Sequence, residues 1–351
     1  MGRLFRLVLA GLSAVVVVAT VAAAVVVVQF VQFQDQPVLE EEETKTLVIP
    51  SGTSWPGVVE RVEEAGLVES ALFFDIWGRR SGLSNEVRAG TFYLEGPLLL
   101  EEMADVLRKG GRADELVITF QEGLTIFEMA DRVAEAGLVD REEFLREARR
   151  ADRYDWASPQ MESLEGYLFP DTYRFNLGTS AEDIVDRLVG RFDREASIFE
   201  EYADQKEAIR QEFGLDRHEI VILASLIERE TGVDHERSLI ARVFYNRLER
   251  GMLLQTDPTC VYGEATYDQV PTPSLCRDPL NRYSTYVVEG LPPGPIASPG
   301  RASLKAALMP SEDPQAQEYL YFVSRRDGTG EHYFSTNYAE HRQAIDRFLR
   351  Q

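Results

Sequence analysis

Cysteine, histidine and positive charge are all scarce in this sequence. Among 351 residues there are two cysteines and four histidines. Two cysteines cannot build a disulfide framework, so the fold must rest on its own apolar core, and so few sulfur and imidazole ligands argue against a zinc site. Only 37 basic side chains stand against 59 acidic ones, for a net charge of −22. So acidic a chain is not expected to bind nucleic acid through general electrostatics.

Several catalytic signatures are also missing. There is no Gly-x-Ser-x-Gly elbow, no His-Glu-x-x-His zinc helix, no Walker loop and no dinucleotide fingerprint. His332 and His341 could be metal ligands, but a hydrogen-bonding role near the C-terminal end of the fold suits each of them better. We therefore expect neither a metal nor an organic cofactor. What the chain does have is 44% hydrophobic residues, enough for one large domain or two ordinary ones.

A long uncharged segment lies near the N-terminus. Leu7–Val28 contains 22 residues without a charge, and a helix of that length rises about 33 Å, which is enough to cross the hydrocarbon core of a bilayer. Arg3 and Arg6 precede it, and basic residues tend to stay in the cytoplasm. The pattern predicts a cytoplasmic segment at residues 1–6, one transmembrane helix at 7–29, and an extracytoplasmic remainder.

A cleaved signal peptide is the alternative interpretation of this segment. The apolar region of a signal peptide usually has 7–15 residues, which is shorter than this run, although Ala22-Ala23-Ala24 could form a cleavage site. Residues 30–45 are polar and acidic, as is typical of a juxtamembrane spacer. An extracytoplasmic location would permit a disulfide between Cys260 and Cys276, but the sequence does not show whether one forms.

An internal repeat follows the spacer. Gly52–Glu69 aligns without gaps to Gly123–Asp140, with eight of 18 positions identical. Each copy has a β-rich run before it and continues as a glycine turn, an amphipathic helix and a glycine stop. We expect a small α/β module of two strand-turn-helix units over residues 46–150. Such a module can be purely structural or can bind an extended polymer.

The segment Leu215–Gly232 predicts a buried helix. Asp216 and Glu219 have the spacing of a capping box, and the eight residues from Ile220 to Ile227 are apolar on every face. The helix would place Glu228 and Glu230 at its C-terminal turn. Two positions apart, their side chains point about 200° away from each other, so only one can face a given substrate. The negative end of the helix and apolar surroundings would raise its pKa, as a general acid requires.

Six ordered motifs resemble those of the YceG-like family of endolytic murein transglycosylases. They span most of the chain after the predicted anchor, and the order is that of the family. In this sequence they are Glu165–Tyr173, Ala224–Thr231, Phe244–Leu248, Leu254–Thr259, Gly290–Ile296 and the stretch from His332 to His341. The resemblance implies a LysM-like character for the repeat module and a mixed α+β catalytic domain over residues 160–351. The expected fold class is thus α+β, behind a single membrane helix.

The same resemblance implies the site residues. The family's catalytic acid is the second glutamate of the Glu-x-Glu-Thr stretch, which falls on Glu230. Substrate-binding positions are expected in these motifs and in the segment before Gly290–Ile296; they are Glu165, Tyr167, Asp171, Asn246, Thr256, Asp257, Tyr283, Ser284, Tyr286 and His332. One position departs from the family pattern, because Ser284 stands where the family has an asparagine. That departure puts a substrate contact in doubt, but not the acid.

The implied reaction is cleavage of the MurNAc–GlcNAc β-1,4 bond of peptidoglycan by a lyase that leaves a 1,6-anhydro end. It needs one carboxyl group, because an internal hydroxyl replaces water. A hydrolytic muramidase is the first alternative, and it would need a second carboxylate, for which Glu165, Asp171 or Asp257 are candidates. A non-enzymatic wall-binding scaffold is the second. The resemblance further implies a single-pass protein of the cell (inner) membrane, whose partners are glycan strands and the cell-wall synthesis or division machinery.

Overall fold

The computed structural model describes residues 20–50, 52–111 and 115–350. The chain forms two compact units. The first runs to Leu116 and includes Asn176–Thr179, and the second consists of Val117–Phe175 and the chain from Ser180 onward. Both units combine helices with short two-stranded sheets, so the predicted α+β class is confirmed.

The predicted membrane segment falls largely outside the described residues. These lack residues 1–19, and with them the cytoplasmic segment 1–6 and most of the span 7–29. Residues 20–35 are helical. Within the described ranges, no helix combines the length and the apolar character that crossing a bilayer requires.

The first unit is built around two antiparallel strand pairs covered by three helices. In the longer pair, Thr44 lies opposite Glu95 and Ile49 lies opposite Gly90. Its strands are Pro37–Leu39, Thr44–Ile49, Gly90–Glu95 and Leu98–Leu99, its α-helices beyond residue 35 are Trp55–Glu64, Ala71–Arg80 and Leu100–Lys109, and Leu83–Asn85 is a 3-10 turn. The inward faces of these elements form one apolar core that includes Val62, Phe74, Phe92 and Met103.

The structure contains both copies of the strand-turn-helix repeat. The first copy is the strand Thr44–Ile49 and the helix Trp55–Glu64, and the second is the strand Glu115–Thr119 and the helix Ile126–Glu135. Each helix ends at a glycine with positive φ, 64° at Gly66 and 69° at Gly137. Only glycine adopts this conformation without a steric cost, which explains why the repeat keeps it.

The second unit is mainly helical. Its α-helices are Ile126–Glu135, Arg141–Ala148, Ala181–Glu195, Ile198–Glu201, Ala203–Phe213, Arg217–Glu230, Arg237–Glu249, Pro273–Cys276, Arg301–Leu308 and Tyr338–Leu349. Short 3-10 turns cover Ala151–Arg153, Asp234–Glu236, Asp257–Val261 and Ala316–Glu318. Two strand pairs complete the unit. One is Tyr321–Ser324 with His332–Ser335, and the other is Glu115–Thr119 with Thr172–Asn176, of which residues 117–119 and 172–175 belong to this unit. The Tyr321–Ser324 and His332–Ser335 pair is a hairpin near the C-terminus.

The predicted module over 46–150 differs in extent from the first compact unit. The second copy of the repeat belongs to the second unit, because its helix is bonded there. The N–H of Ile126, at the start of that helix, donates to the buried Glu165 carboxylate at 2.9 Å. The module over 46–150 therefore stays a prediction.

Candidate active site

The helix Arg217–Glu230, called the central helix below, carries the candidate acid. Asp216 caps it as expected: its carboxylate accepts the Glu219 N–H at 2.9 Å, and the Glu219 carboxylate accepts the Asp216 N–H at 2.7 Å. All eight residues from Ile220 to Ile227 are buried. Thr231 is extended and ends the helix directly after the turn that carries the two glutamates.

The two glutamates of this turn have separate environments. Glu228 is only 6% exposed, its Oε2 accepts the Gly300 N–H at 3.0 Å, and its Oε1 lies 3.7 Å from the guanidinium of Arg237. Glu230 instead faces a cavity of about 460 Å³. The helical offset of about 200° thus separates a glutamate held by structural partners from one that is open to a ligand.

The cavity lies in the second unit and is lined by residues far apart in sequence. Its lining residues are Glu230, Arg247, Leu254, Gln255, Asp257, Tyr286, Tyr321–Ser324, Arg326, His332, Tyr338, His341, Ile345 and Leu349. One part is polar and aromatic, with two carboxylates and two arginines. That mixture suits a sugar, because aromatic faces pack on pyranose rings and charged groups bind hydroxyls.

Glu230 has the protonation behaviour of a general acid. Burial of its carboxyl group, assisted by the negative charge of Asp257, raises its pKa to about 7, while Thr256, Arg247 and Arg229 oppose the rise. Near neutral pH a substantial fraction is protonated and can donate a proton, and its conjugate base can accept one afterwards. The hydroxyl of Thr256 is buried and has no hydrogen-bond partner of good geometry among the described residues.

Asp257 is the second carboxylate in the cavity. It accepts the Tyr286 hydroxyl at 2.5 Å. The residue before it, Thr256, is fixed by its backbone, since its N–H donates to Oγ1 of the buried Thr285 at 2.9 Å. Thr285 also exchanges a hydrogen bond of 3.0 Å with the hydroxyl of Thr259. Buried hydrogen bonds therefore join two segments that are distant in sequence, around residues 256 and 285, next to Asp257.

A disulfide bond links the segment after Asp257 to the helix Pro273–Cys276. Cys260 and Cys276 are bonded, with their Cα atoms 4.6 Å apart. The structure thus answers a question that the sequence leaves open. A carboxylate oxygen of Asp257 and the two sulfurs lie within 4.8 Å of one another. Because both sulfurs are used in the disulfide, this group is not a metal site, and the bond instead restrains the segment that carries Asp257.

Arg247 is the main cavity residue that sequence reasoning missed. Asn246 is predicted to bind substrate, but its side chain is buried and donates to the carbonyls of Ala316 and Tyr319 at 3.0 and 2.8 Å. Its neighbour Arg247 turns toward the cavity and donates through Nε to the Leu320 carbonyl at 2.6 Å. Burial lowers the pKa of Arg247, and Glu230 is among the groups that oppose this change. The signal was within the Phe244–Leu248 motif, at the adjacent position.

Glu165 is buried away from the cavity. It is 1% exposed, and its Oε2 accepts the Ile126 N–H and, at 3.1 Å, the Tyr262 hydroxyl. Its Oε1 has no partner among the described residues, and burial raises the pKa of the carboxyl group to about 8. This carboxyl group joins three segments of the second unit, and it does not line the cavity with Glu230.

The other predicted positions are divided between the cavity and the scaffold. Asp257, Tyr286 and His332 line the cavity, and His332 Nδ1 lies 2.8 Å from the Glu236 carboxylate. The remaining ones do not line it. Tyr167 is buried with its hydroxyl 2.8 Å from His218 Nδ1, Asp171 accepts from Arg191 at 2.7 Å, Tyr283 packs its ring 4.5 Å from that of Tyr262, and Ser284 donates to the Cys276 carbonyl at 2.6 Å.

Most of the chain matches one known protein family. The sequence profile of the YceG-like family matches residues 47–347, which is most of the chain. The chain belongs to the YceG-like family. The match includes the central helix, both cavity carboxylates and the C-terminal hairpin, so the cavity around Glu230 is part of a YceG-like domain.

Named relatives of this YceG-like chain cover most of its length. It is 31% identical over 329 residues to the endolytic murein transglycosylase of Bacillus subtilis, covering 88% of this chain and 87% of that protein. It is 29% identical over 330 residues to the endolytic murein transglycosylase of Streptococcus pneumoniae, of which it covers 57%. A solved structure of a putative yceG-like protein from Listeria monocytogenes, 28% identical, is similar with a TM-score of 0.55 over 86% of this chain and 99% of that one.

Proposed function

We propose that this YceG-like protein is an endolytic peptidoglycan transglycosylase, a lyase that cleaves the MurNAc–GlcNAc β-1,4 bond and leaves a 1,6-anhydro-MurNAc end. The observation that carries the proposal is Glu230, a half-buried carboxyl group with a pKa of about 7 that lines a cavity of about 460 Å³. The names of its relatives support the substrate class and the type of reaction. No second catalytic carboxylate is required for this chemistry.

The proposed mechanism uses Glu230 twice. Its protonated carboxyl group donates the proton to the glycosidic oxygen, and the GlcNAc side leaves as an alcohol. The MurNAc C1 then carries an oxocarbenium-like charge, which the 6-hydroxyl of the same ring attacks. The Glu230 carboxylate removes the proton of that hydroxyl and returns to its starting state. Nothing is consumed, and no water enters the product.

Hydrolysis by the same cavity is the second candidate, and Asp257 is the observation that favours it. A muramidase needs a carboxylate beside the acid, to activate water or to attack the sugar, and Asp257 lines the same cavity. Its hydrogen bond from Tyr286 would fix the orientation of the carboxylate. The two candidates differ in product: the hydrolase releases a reducing end that is heavier by one water.

The test is product analysis with two matched variants. The full chain in detergent and its Glu230→Gln variant are incubated with purified peptidoglycan, and the products are read by mass spectrometry. Glu228→Gln is the control, because it removes the same charge from the same helical turn. Anhydro ends from the wild type and from Glu228→Gln only would support the proposal. Reducing ends would favour the muramidase, and wall binding without any products, unchanged in Glu230→Gln, would favour a scaffold.

We further propose the position of the enzyme in the cell. Residues 7–29 would anchor it in the cell membrane, and the uncharged run of 22 residues supports this. The repeat module, proposed to be LysM-like over 46–150, would hold glycan near the catalytic domain at 160–351. From such a place the enzyme would meet nascent strands and release or terminate them beside the synthesis machinery. Flotation of the full chain with membranes, lost on deletion of residues 1–29, tests the anchor.

A further inference from the structure

The two outer edges of the hairpin Tyr321–Ser324 and His332–Ser335 differ in the hydrogen bonds that their backbone groups make. In its register, Tyr321 lies opposite Ser335 and Val323 opposite Tyr333. The pairing continues to Arg325, whose N–H donates to the Glu331 carbonyl at 2.9 Å. Along an antiparallel strand, residues whose backbone N–H and C=O groups bond to the partner strand alternate with residues whose backbone groups point away from it. Tyr321, Val323 and Arg325 are therefore bonded inward, and the residues between them point their backbone groups outward.

One outer edge of the hairpin is closed by a side chain. The outward N–H of His332 donates to Oε1 of Glu236 at 2.9 Å. On the opposite edge, the Leu320 carbonyl accepts from Arg247, the arginine beside Glu230. Beyond it, the outward backbone groups of Phe322 and Ser324 have no partner within the ranges the structure describes.

This open edge runs along the cavity that contains Glu230. All four residues of the strand Tyr321–Ser324 line the cavity, although alternate side chains of a strand point to opposite faces. The shared feature of four consecutive residues is their backbone edge. A chain with amide groups can bind such an edge through backbone hydrogen bonds, as a strand added to a sheet does.

A positively charged side chain, that of Arg326, lies just beyond the end of the edge. Arg326 is exposed, lines the same cavity, and makes no ion pair with any residue in the described part of the chain. Its neighbour Arg325 is paired with Glu331 at 2.8 Å. In a protein with a net charge of −22, a cavity arginine without a carboxylate partner is well placed to bind an anionic group of a ligand.

We propose that the open edge and Arg326 form a subsite for the peptide stem that the substrate strand carries. The stem's amide groups would bind the backbone of Phe322 and Ser324, and one of its carboxylates would bind the Arg326 guanidinium. The edge begins beside Arg247 and Glu230, so a stem on the reacting MurNAc has a direct path along it. The inference rests on the proposed function and adds recognition of the stem to cleavage of the glycan.

The experiment compares strands that carry stems with strands from which an amidase has removed them. Steady-state constants for both substrates are measured with the full chain in detergent, for the wild type, Arg326→Gln and Arg326→Lys. Ser324→Pro is added because it deletes an outward N–H at an edge position where proline is compatible with a strand. Arg325→Gln is the control for disturbance of the loop. Binding of both strands to the Glu230→Gln protein gives a readout that does not depend on turnover.

The wild type is expected to have a KM about fivefold lower for strands with stems, the effect of one exposed charge pair. Arg326→Gln and Ser324→Pro should reduce this preference toward one, whereas Arg326→Lys and Arg325→Gln should retain it. Equal KM and Kd values for both substrates in the wild type would overturn the subsite and leave the proposed function standing. If the wild type cleaves neither substrate but binds strands with stems more tightly than strands without them, the proposed enzymatic function is refuted and the subsite is retained.

Discussion

The pH dependence of cleavage is the most direct test of Glu230 as the acid. With a pKa of about 7, the carboxyl group is about 90% protonated at pH 6 and about 10% at pH 8. Only the protonated form can donate to the leaving oxygen, so kcat/KM should fall about tenfold for each pH unit above 7. The fall should be present in the free enzyme, because the pKa is set by the protein alone.

The fall of kcat/KM above pH 7 is the alkaline limb of the pH profile. Two substitutions should move this limb in opposite directions. Asp257→Asn removes a negative charge that raises the pKa of Glu230, so the limb should move to lower pH. Two unit charges about 4 Å apart interact by about 1 kcal/mol in water, which corresponds to a shift of about 0.7 pH unit. Thr256→Val removes a hydroxyl that lowers the pKa, so its limb should move to higher pH.

Initial rates between pH 5 and 9, with anhydro or reducing ends counted by mass spectrometry, measure these limbs. Rates need only be compared within each variant, so a loss of activity in Asp257→Asn does not hide its limb. If both variants keep the wild-type limb, or if both move it the same way, Glu230 is not the group that titrates. Complete loss of hydrolytic products in Asp257→Asn, with anhydro ends retained, would identify Asp257 as the residue that activates water.

Three further predictions concern stability. Replacing Cys260 and Cys276 by alanine opens a link across 16 residues, which should cost about 3 kcal/mol and lower Tm by about 6–12 °C; an unchanged Tm by calorimetry would contradict this. The pKa of Glu165 is about 8 in the fold against an ordinary 4.5, so stability is lost as pH rises from 4.5 to 8. Glu165→Gln should therefore raise Tm at pH 9 more than at pH 5. Glu228→Gln breaks a buried contact with Arg237 and should lower Tm by a few degrees while product formation persists.

Local signals in the sequence predict the central helix of the second unit well. The capping box at Asp216 and the apolar run after it place the central helix within two residues of its observed ends. The sequence of residues 180–213 has a helical pattern throughout, but the structure divides this segment into Ala181–Glu195, Ile198–Glu201 and Ala203–Phe213. The interruptions at 196–197 and 202 contain alanine, serine and tyrosine, and none of these residues is a strong helix breaker. Packing decides such breaks, and a local pattern does not record packing.

The composition of the site is less predictable than the position of its helix. That Glu228 and Glu230 must face different surroundings follows from helical geometry. Which of them faces a cavity depends on the partners of Glu228, Gly300 and Arg237, which are 72 and nine residues away from it. The same holds for Asn246 and Arg247, which are neighbours in one motif and differ by about 100° on the helix. Both residues belong to the motif, so the motif does not predict which of them lines the cavity. Tertiary contacts decide that Asn246 belongs to the scaffold and Arg247 to the cavity.

Ser284 and the two cysteines, which look unrelated in the sequence, form one structural feature. The buried Ser284 hydroxyl donates to the Cys276 carbonyl at 2.6 Å and lies 3.8 Å from the sulfur of Cys260. A longer asparagine side chain at this fully buried position would need space that the disulfide and its neighbours now fill. The departure from the family pattern at 284 thus accompanies a crosslink that restrains Asp257. Its consequence for catalysis would act through the position of that carboxylate, because Ser284 itself does not reach the cavity.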